Sequence, residues 1–458
     1  MKTKSSKSAI NSTSFNCFNC FNEKVINKAS DSNLSFELKK IETDIKIDIY
    51  GMPENIIPYR LAHNRFVPEK VYLKMVKNTA FNAIELNALH ILFDSAIPGN
   101  VSLELSQLHA YSAIISSQLA NPEKWANYPI LDKLHLTVNI TRQEMNALIV
   151  DATVIAAKAG FYLIAKPPKR KENQYHEKVL TFCSKERKDA KIYFFLGDNA
   201  KSREFPANLL RIEVNPARHS HAEFKCFFLA LKQSGNIKQY KQKMKKANVT
   251  QNDLAIDLLF CPIVVLIVDK SNIKDKYSNH SKHDVKNCTL VQTVTIGNIE
   301  RSYTTLYSKT EKILEARMEN KKSSLPLLLN GDCNPIPVGR TEHSKRIQQD
   351  GGKLMMKDLD KKSNQSLVKS LRVYRPELLA TVHETQQAQV LKDGYMVTMK
   401  QHDEAVFACR EDFLKPFQMY INNKAFQKMQ ARILRKAKNY IINPDKKPVT
   451  VSKTATEI

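Results

Sequence analysis

Glycine is scarce, at 11 residues in 458, and tryptophan occurs once. That leaves little material for a Gly-rich phosphate loop, and no G-x-x-x-x-G-K-S/T string occurs, which excludes a P-loop motor. Long apolar runs are missing too. The longest, LLFCPIVVLIV at 258–268, falls short of the roughly 20 residues that a membrane span needs, and Pro262 interrupts it. It reads as buried strand. The basic opening MKTKSSKSAINSTSF lacks the apolar stretch of a secretory leader, so a cytoplasmic protein with no membrane partner is expected. Of the eight cysteines only Cys17 and Cys20, in CFNC, have metal-like spacing. Tetrahedral zinc takes four ligands, so reduced thiols are the expectation.

Positive charge is what the chain has in abundance. Lys and Arg number 71 against 46 Asp and Glu, a formal charge of +25, which points to a polyanion partner, nucleic acid before acidic membrane. Residues 1–30, rich in Ser, Asn and Lys, are expected to be a disordered basic N-terminus. Residues 31–125 read as a helical region, because apolar residues recur at three and four between about 65 and 120. Residues 126–400 read as an α+β core on a largely antiparallel sheet. KLHLTVNI at 133–140 alternates like a strand, and a helix is expected from Thr141 with Glu144 completing a capping box. Strands are expected at 190–198, 209–216, 254–268, 290–296, 303–308 and 371–382, with a helix over 221–233. The charged stretches 166–178, 270–287 and 330–365 read as insertions, either functional or disordered. Residues 401–458 read as a basic helical segment and tail.

The chemistry begins at VTQNDLAIDLLF, residues 249–260. In a strand, Asp253, Ala255 and Asp257 share one face, and Leu254, Ile256 and Leu258 share the other. At roughly 3.3 Å per residue the two aspartate Cα atoms are about 13 Å apart, so both reach one ion only if the strand bends. The plainer reading is a solvated face paired to Lys or Arg. SLRVYRPELLATVHET puts Arg375 and Glu377 in alternation, although Pro376 confines such a strand to an edge or bulge. TTLYSKTEKILEAR puts Tyr307, Lys309 and Glu311 in alternation. Carboxylates from neighbouring strands, with a Lys and an Arg among them, suit metal-assisted phosphoryl transfer. His219 and His221 in RHSHAEF offer a His-x-His pair, for which capping or solvent exposure is the simpler reading. His135 reads as a packed strand histidine.

The ordered set LLRIEVNPAR, VTQNDLAIDLLF, TVTIGNIERSYTTLYSKTEKILEAR and RVYRPELLATVHE resembles the replication initiation proteins of filamentous phages and rolling-circle plasmids, near the staphylococcal plasmid initiators. The likeness covers about 205–385. It carries over Asp253, Asp257 and Glu377 as metal positions, with Tyr307, Lys309, Glu311 and Arg375 on matching motif positions. Gln251 and Asn252 stand where the family has Arg and an apolar residue, and Ser308 where it has Asp.

What the resemblance implies is a DNA strand nickase. A tyrosine attacks an origin phosphodiester, keeps the 5′ end as a phosphotyrosine and frees a 3′-OH primer, with Mg²⁺ or Mn²⁺ polarising the phosphate. The nucleophile is expected downstream of the glutamate strand, at Tyr420 or Tyr395. Lys428, Arg432, Arg435, Lys436 and Lys438 are the expected DNA contacts. The implied partner is origin DNA, double- and single-stranded, with a host helicase, a polymerase and a second copy of the chain as further candidates. The competing reading is a regulator that binds the origin without cutting it. An RNA-binding module lacks its aromatic R-G-F-G-F type strand here.

Overall fold

The computed structural model describes residues 45–46, 56–77, 80–94, 104–164, 176–197, 210–270, 277–283, 289–318, 325–330, 332–347, 354–362, 371–402, 407 and 410–445. Cys17, Cys20, the N-terminal 30 residues and the tail beyond 445 lie outside them. Fourteen strands occur among the described residues: β1 (Ile45–Lys46), β2 (Ile130–Val138), β3 (Phe161–Leu163), β4 (Lys178–Ser184), β5 (Lys191–Leu196), β6 (Leu210–Val214), β7 (Asn248–Leu259), β8 (Ile267–Lys270), β9 (Tyr277–His283), β10 (Thr289–Asn298), β11 (Ser302–Ser308), β12 (Leu328–Leu329), β13 (Val338–Arg346) and β14 (Leu371–Tyr374). The α-helices are α1 (Ile57–His63), α2 (Glu69–Val76), α3 (Ala83–Asp94), α4 (Leu105–Ala120), α5 (Arg142–Val150), α6 (Ala152–Ala159), α7 (His221–Gln233), α8 (Tyr240–Lys246), α9 (Lys309–Met318), α10 (Leu359–Lys362), α11 (Glu384–Asp393), α12 (Tyr395–His402), α13 (Arg410–Leu414) and α14 (Asn423–Ile442).

Ten strands form one sheet in the order β3-β4-β5-β6-β2-β7-β13-β11-β10-β9. Every neighbouring pair in it is antiparallel. This is the expected α+β class. Smaller pairings join β1 to β12 in parallel and β14 to β8 antiparallel.

Local chemistry explains most element ends. Thr141 accepts from the Glu144 amide while Glu144 accepts from the Thr141 amide, the anticipated capping box of α5. Ser220 and Glu223 repeat the motif at α7. Gly297 holds φ at +107° in the β10–β11 hairpin, and a Cβ there would meet the Ser302 carbonyl at 2.7 Å. Two expected strands end early, β7 and β14, while β11 ends where expected. β7 stops at Leu259, where Phe260 turns to positive φ and Pro262 has no N–H to donate. β11 stops at Ser308, whose hydroxyl accepts from the Glu311 amide and so starts α9 at Lys309. β14 stops at Tyr374, because Pro376 holds Arg375 extended and opens a 3-10 helix over Pro376–Thr381. Lys309, Glu311 and Glu377 are therefore not strand residues.

The larger surprise lies in the stretches that read as insertions. β9 comes from 270–287 and caps the sheet edge, and β13 comes from 330–365 and lies centrally between β7 and β11. β13 carries charged or polar side chains on both faces, VGRTEHSKR, so apolar alternation gives no sign of it.

One hydrophobic core runs from Ile56 to Ile442 and joins the N-terminal helices, the sheet and α14. Under α7 the rings interlock: Phe227 lies 5.2 Å from Phe161, 5.1 Å from Phe182 and 5.8 Å from Phe194, all at steep angles. Among the described residues no helix is long and apolar enough to cross a membrane.

Phe227→Ala should lower stability by about 3–5 kcal/mol, read from urea denaturation as a lower midpoint at unchanged slope. An unchanged midpoint would mean that these rings do not hold α7 to the sheet.

Candidate functional site

The site is built by register. Asp253 pairs with Lys133 on β2 and with Ser344 on β13; Asp257 pairs with Arg340, and Arg340 with Tyr307 on β11. Because paired residues point the same way, Lys133, Asp253, Asp257, Arg340, Glu342 and Tyr307 share one face of four adjacent strands. A bulge in β2 between Leu131 and Lys133 adds Asp132, which accepts from Asn215 Nδ2 at 2.9 Å and lies 3.8 Å from Arg340 Nη1.

The two aspartates that share the expected face are buried, and each is matched to a cation. Arg340 grips Asp257 in a fork, Nε to Oδ1 at 2.5 Å and Nη2 to Oδ2 at 2.8 Å. Burial by itself would raise the Asp257 carboxyl. The Arg340 charge and its hydrogen bonds, with Lys309 and His63 behind them, hold it far below the usual range. Arg60 of α1 donates to the Asp257 carbonyl at 2.8 Å and ties the N-terminal helices to this point. Asp253 accepts from Lys133 Nζ at 2.8 Å and from Gln251 Nε2 at 3.0 Å. The face is thus paired to Lys and Arg, as the plainer reading had it, but shielded from water.

Glu342 differs: Lys133 Nζ lies 3.6 Å from its Oε1 but is bonded more closely to Asp253. Burial first, then the charges of Asp132 and Asp253, raise the Glu342 carboxyl above the usual range despite Lys133 and Arg340. The Tyr307 hydroxyl donates to Glu342 Oε2 at 3.1 Å, and Lys312 Nζ stands 4.2 Å from the centre of the Tyr307 ring. Burial, the largest influence, raises the Tyr307 phenol well above its ordinary value, so it stays protonated. Lys309 is buried, and desolvation plus Arg340 and Arg218 pull its ammonium well below the usual lysine range. Lys133, with its side chain 42% exposed, and the exposed Lys312 bring the group to the surface.

The other candidates stand elsewhere. Glu377 Oε1 bonds to His109 Nδ1 at 2.9 Å, while its Oε2 is buried without a partner among the described residues. Arg375 is exposed, and its amide donates to the Phe417 carbonyl at 2.8 Å. Tyr395 is buried in α12, which pushes its phenol up. Tyr420 is 71% exposed. Asp253, Asp257 and Glu377 do not fit as ligands of one ion: the first two are neutralised by Lys133 and Arg340, and Glu377 is held by His109. Among the described residues no group of three or more His, Cys, Asp and Glu side chains is arranged to hold a metal.

His219 is fully buried against Phe161 and Phe224, while His221 begins α7 behind the Ser220 cap, so the two do not present a pair. His135 is largely buried, 3.8 Å from Glu213. In α14, Lys428 and Arg432 are exposed, Arg435 and Lys438 both bond to Asp360, and Lys436 lies 5.9 Å over the Phe66 ring. Burial and Lys70 lower the Lys436 ammonium to about 8, so it serves packing as much as charge.

Sequence reasoning reached Asp253, Asp257 and Tyr307 but missed Asp132, Lys133, Arg340 and Glu342. The last two ride on β13, whose only signal is opposite charges two residues apart. No family model matches the chain, and no curated protein does. A solved rolling circle replication initiator protein from Geobacillus stearothermophilus aligns over 64% of this chain and 99% of its own, with a TM-score of 0.27 and 9% identity. So loose a likeness carries no residue roles across.

Asp257→Asn and Arg340→Met should each cost about 3–5 kcal/mol in urea denaturation, since either leaves a buried charge or polar group unmatched. The double variant should cost clearly less than the sum; additive losses would deny the pairing. Stability should also fall on the acid side. Burial lowers His219 to about 4 and His343 to about 3 from an ordinary 6.5, so both are neutral in the fold and take up protons on unfolding. Their contribution is complete above about pH 6.5 and drains away toward about 4 and then 3. His343→Gln should flatten that part of the pH–stability curve.

Proposed function

We propose that this chain is a replication initiator that acts on origin DNA and cuts one strand at the shelf formed by β2, β7, β13 and β11. The observation that carries the reading is the Tyr307 hydroxyl on the raised carboxyl of Glu342, with Lys133 and Lys312 at its mouth. The order of the four sequence motifs and the charge of +25 support it.

In this reading the Tyr307 oxygen attacks phosphorus while Glu342 takes the phenol proton. The new P–O bond holds the 5′ end on the protein. The bond to the 3′ oxygen breaks, and that oxygen leaves as a hydroxyl once protonated. Lys133 and Lys312 hold the non-bridging oxygens, whose charge grows in the transition state. A phenol raised by burial needs such a base, and a carboxylate raised above the usual range is a stronger one than an ordinary glutamate. For the Mg²⁺ or Mn²⁺ implied by the sequence resemblance, no group of three or more acidic, His or Cys ligands stands together among the described residues.

A second reading, a regulator that binds origin DNA without cutting, has its own support. Both aspartates are neutralised by cations, and Glu377 is engaged by His109.

The test uses single-stranded oligonucleotides tiled across the DNA that flanks the gene, with Mg²⁺, with Mn²⁺ and with EDTA. Cleavage should leave a covalent adduct, and mass spectrometry of the attached peptide should place it on Tyr307 rather than Tyr395 or Tyr420. Tyr307→Phe and Glu342→Gln should abolish cleavage while binding persists. Binding with no cut under any condition favours the regulator, and an adduct at another tyrosine removes the role given to Tyr307.

A further inference from the structure

Tyr420 is the most exposed large aromatic among the described residues, at 71%. Its backbone is nonetheless fixed on both sides. The Met419 amide donates to the Val373 carbonyl at 2.8 Å, the Asn422 amide to the Leu119 carbonyl at 3.0 Å, and Asn422 Nδ2 to the Ala120 carbonyl at 3.2 Å. The fold thus holds a flat ring out in water, in a place where packing asks for no ring at all.

Asn422 then caps α14, its side chain accepting from the Ala425 amide at 3.1 Å. The buried stripe of Phe426, Met429, Ile433 and Ala437 fixes the rotation of that helix. Its solvent face is therefore Lys424, Lys428 and Arg432, spaced at four and all exposed. No Asp or Glu occurs anywhere in the helix. Arg435 and Lys438 are drawn to Asp360, whereas Lys424, Lys428 and Arg432 have no ion-pair partner among the described residues. Successive members stand about 6 Å apart along the axis, comparable to neighbouring phosphates on an extended single strand. The helix N-terminus adds its positive end beside Tyr420.

A row of unpaired cations led by an exposed ring on a tethered backbone is the arrangement that binds a single strand without reading its sequence: phosphates lie along the charges and a base stacks on the ring. Duplex DNA keeps its bases stacked inward and has no use for the ring. We propose that Tyr420 with the Lys424–Lys428–Arg432 ridge is a docking track for single-stranded DNA, with one base stacked on Tyr420. This rests on the reading of the chain as acting on DNA, and it gives Tyr420 a binding role in place of the nucleophilic one.

The full chain is titrated with fluorescent oligo-dT, a mixed-sequence single strand, its duplex and the RNA of the same sequence, with anisotropy as readout. Tyr420→Ala should weaken single-strand binding about tenfold and leave duplex binding within about twofold. Tyr420→Phe should match the wild type, because the face of the ring, not its hydroxyl, makes the contact. Lys428→Gln with Arg432→Gln should reduce the slope of log K against log salt by roughly 0.7 for each cation removed. Unchanged melting temperatures guard against misfolding, as all three side chains are exposed. Wild-type-like affinity in Tyr420→Ala, an equal loss in Tyr420→Phe, or tighter binding of the RNA overturns the track while leaving origin binding standing. A wild type that binds no DNA removes both proposals together.

Discussion

The fork between Arg340 and Asp257 is the constraint around which the rest is arranged. Taking a guanidinium and a carboxylate out of water costs several kcal/mol for each ion, offset only when geometry and hydrogen bonding are nearly complete. Here they are: both carboxylate oxygens are engaged, and Arg60 satisfies the Asp257 carbonyl. The pair also fixes register. A one-residue slip of β13 against β7 would turn Arg340 to the opposite face and leave Asp257 buried without a counter-charge. β13, which has no apolar stripe to position it, is held in the centre of the sheet by this charge match and by its backbone ladders to β7 and β11.

That constraint sorts the carboxylates into two kinds. Asp257 is held as an anion by Arg340, and Asp253 is bonded by Lys133, so both have little left to offer a substrate. Burial raises the proton affinity of Glu342, and the negative charges of Asp132 and Asp253 raise it further. The same sheet face therefore holds spent acids in its interior and a proton-hungry one toward its rim, where Tyr307 donates to it. The difference lies in neighbours, not in residue type.

Charge is divided in the same way on α14. Its apolar stripe joins the main core, Asp360 takes up Arg435 and Lys438, and Lys436 spreads its stem over Phe66. What remains for a polyanion is a narrower row than the count of basic residues suggests. A formal charge of +25 describes a partner class, whereas the ion pairs decide which cations are available to it.

The sequence determined whatever depends on near neighbours in the chain. The alternation of Asp253, Ala255 and Asp257 against Leu254, Ile256 and Leu258, the capping box at Thr141, the span of α7 and the basic C-terminal helix all follow from contacts within a few residues, and all were legible. Tertiary structure decided which strand lies beside which. It drew β13 out of a polar stretch, set Arg340 against Asp257 across 83 residues of chain, and carried Glu377 away to His109. The physical reason is that a strand polar on both faces has no periodic hydrophobic signal. Its place is set by charges it meets only after folding, and those charges also shift the proton affinities of Asp257 and Glu342 in opposite directions.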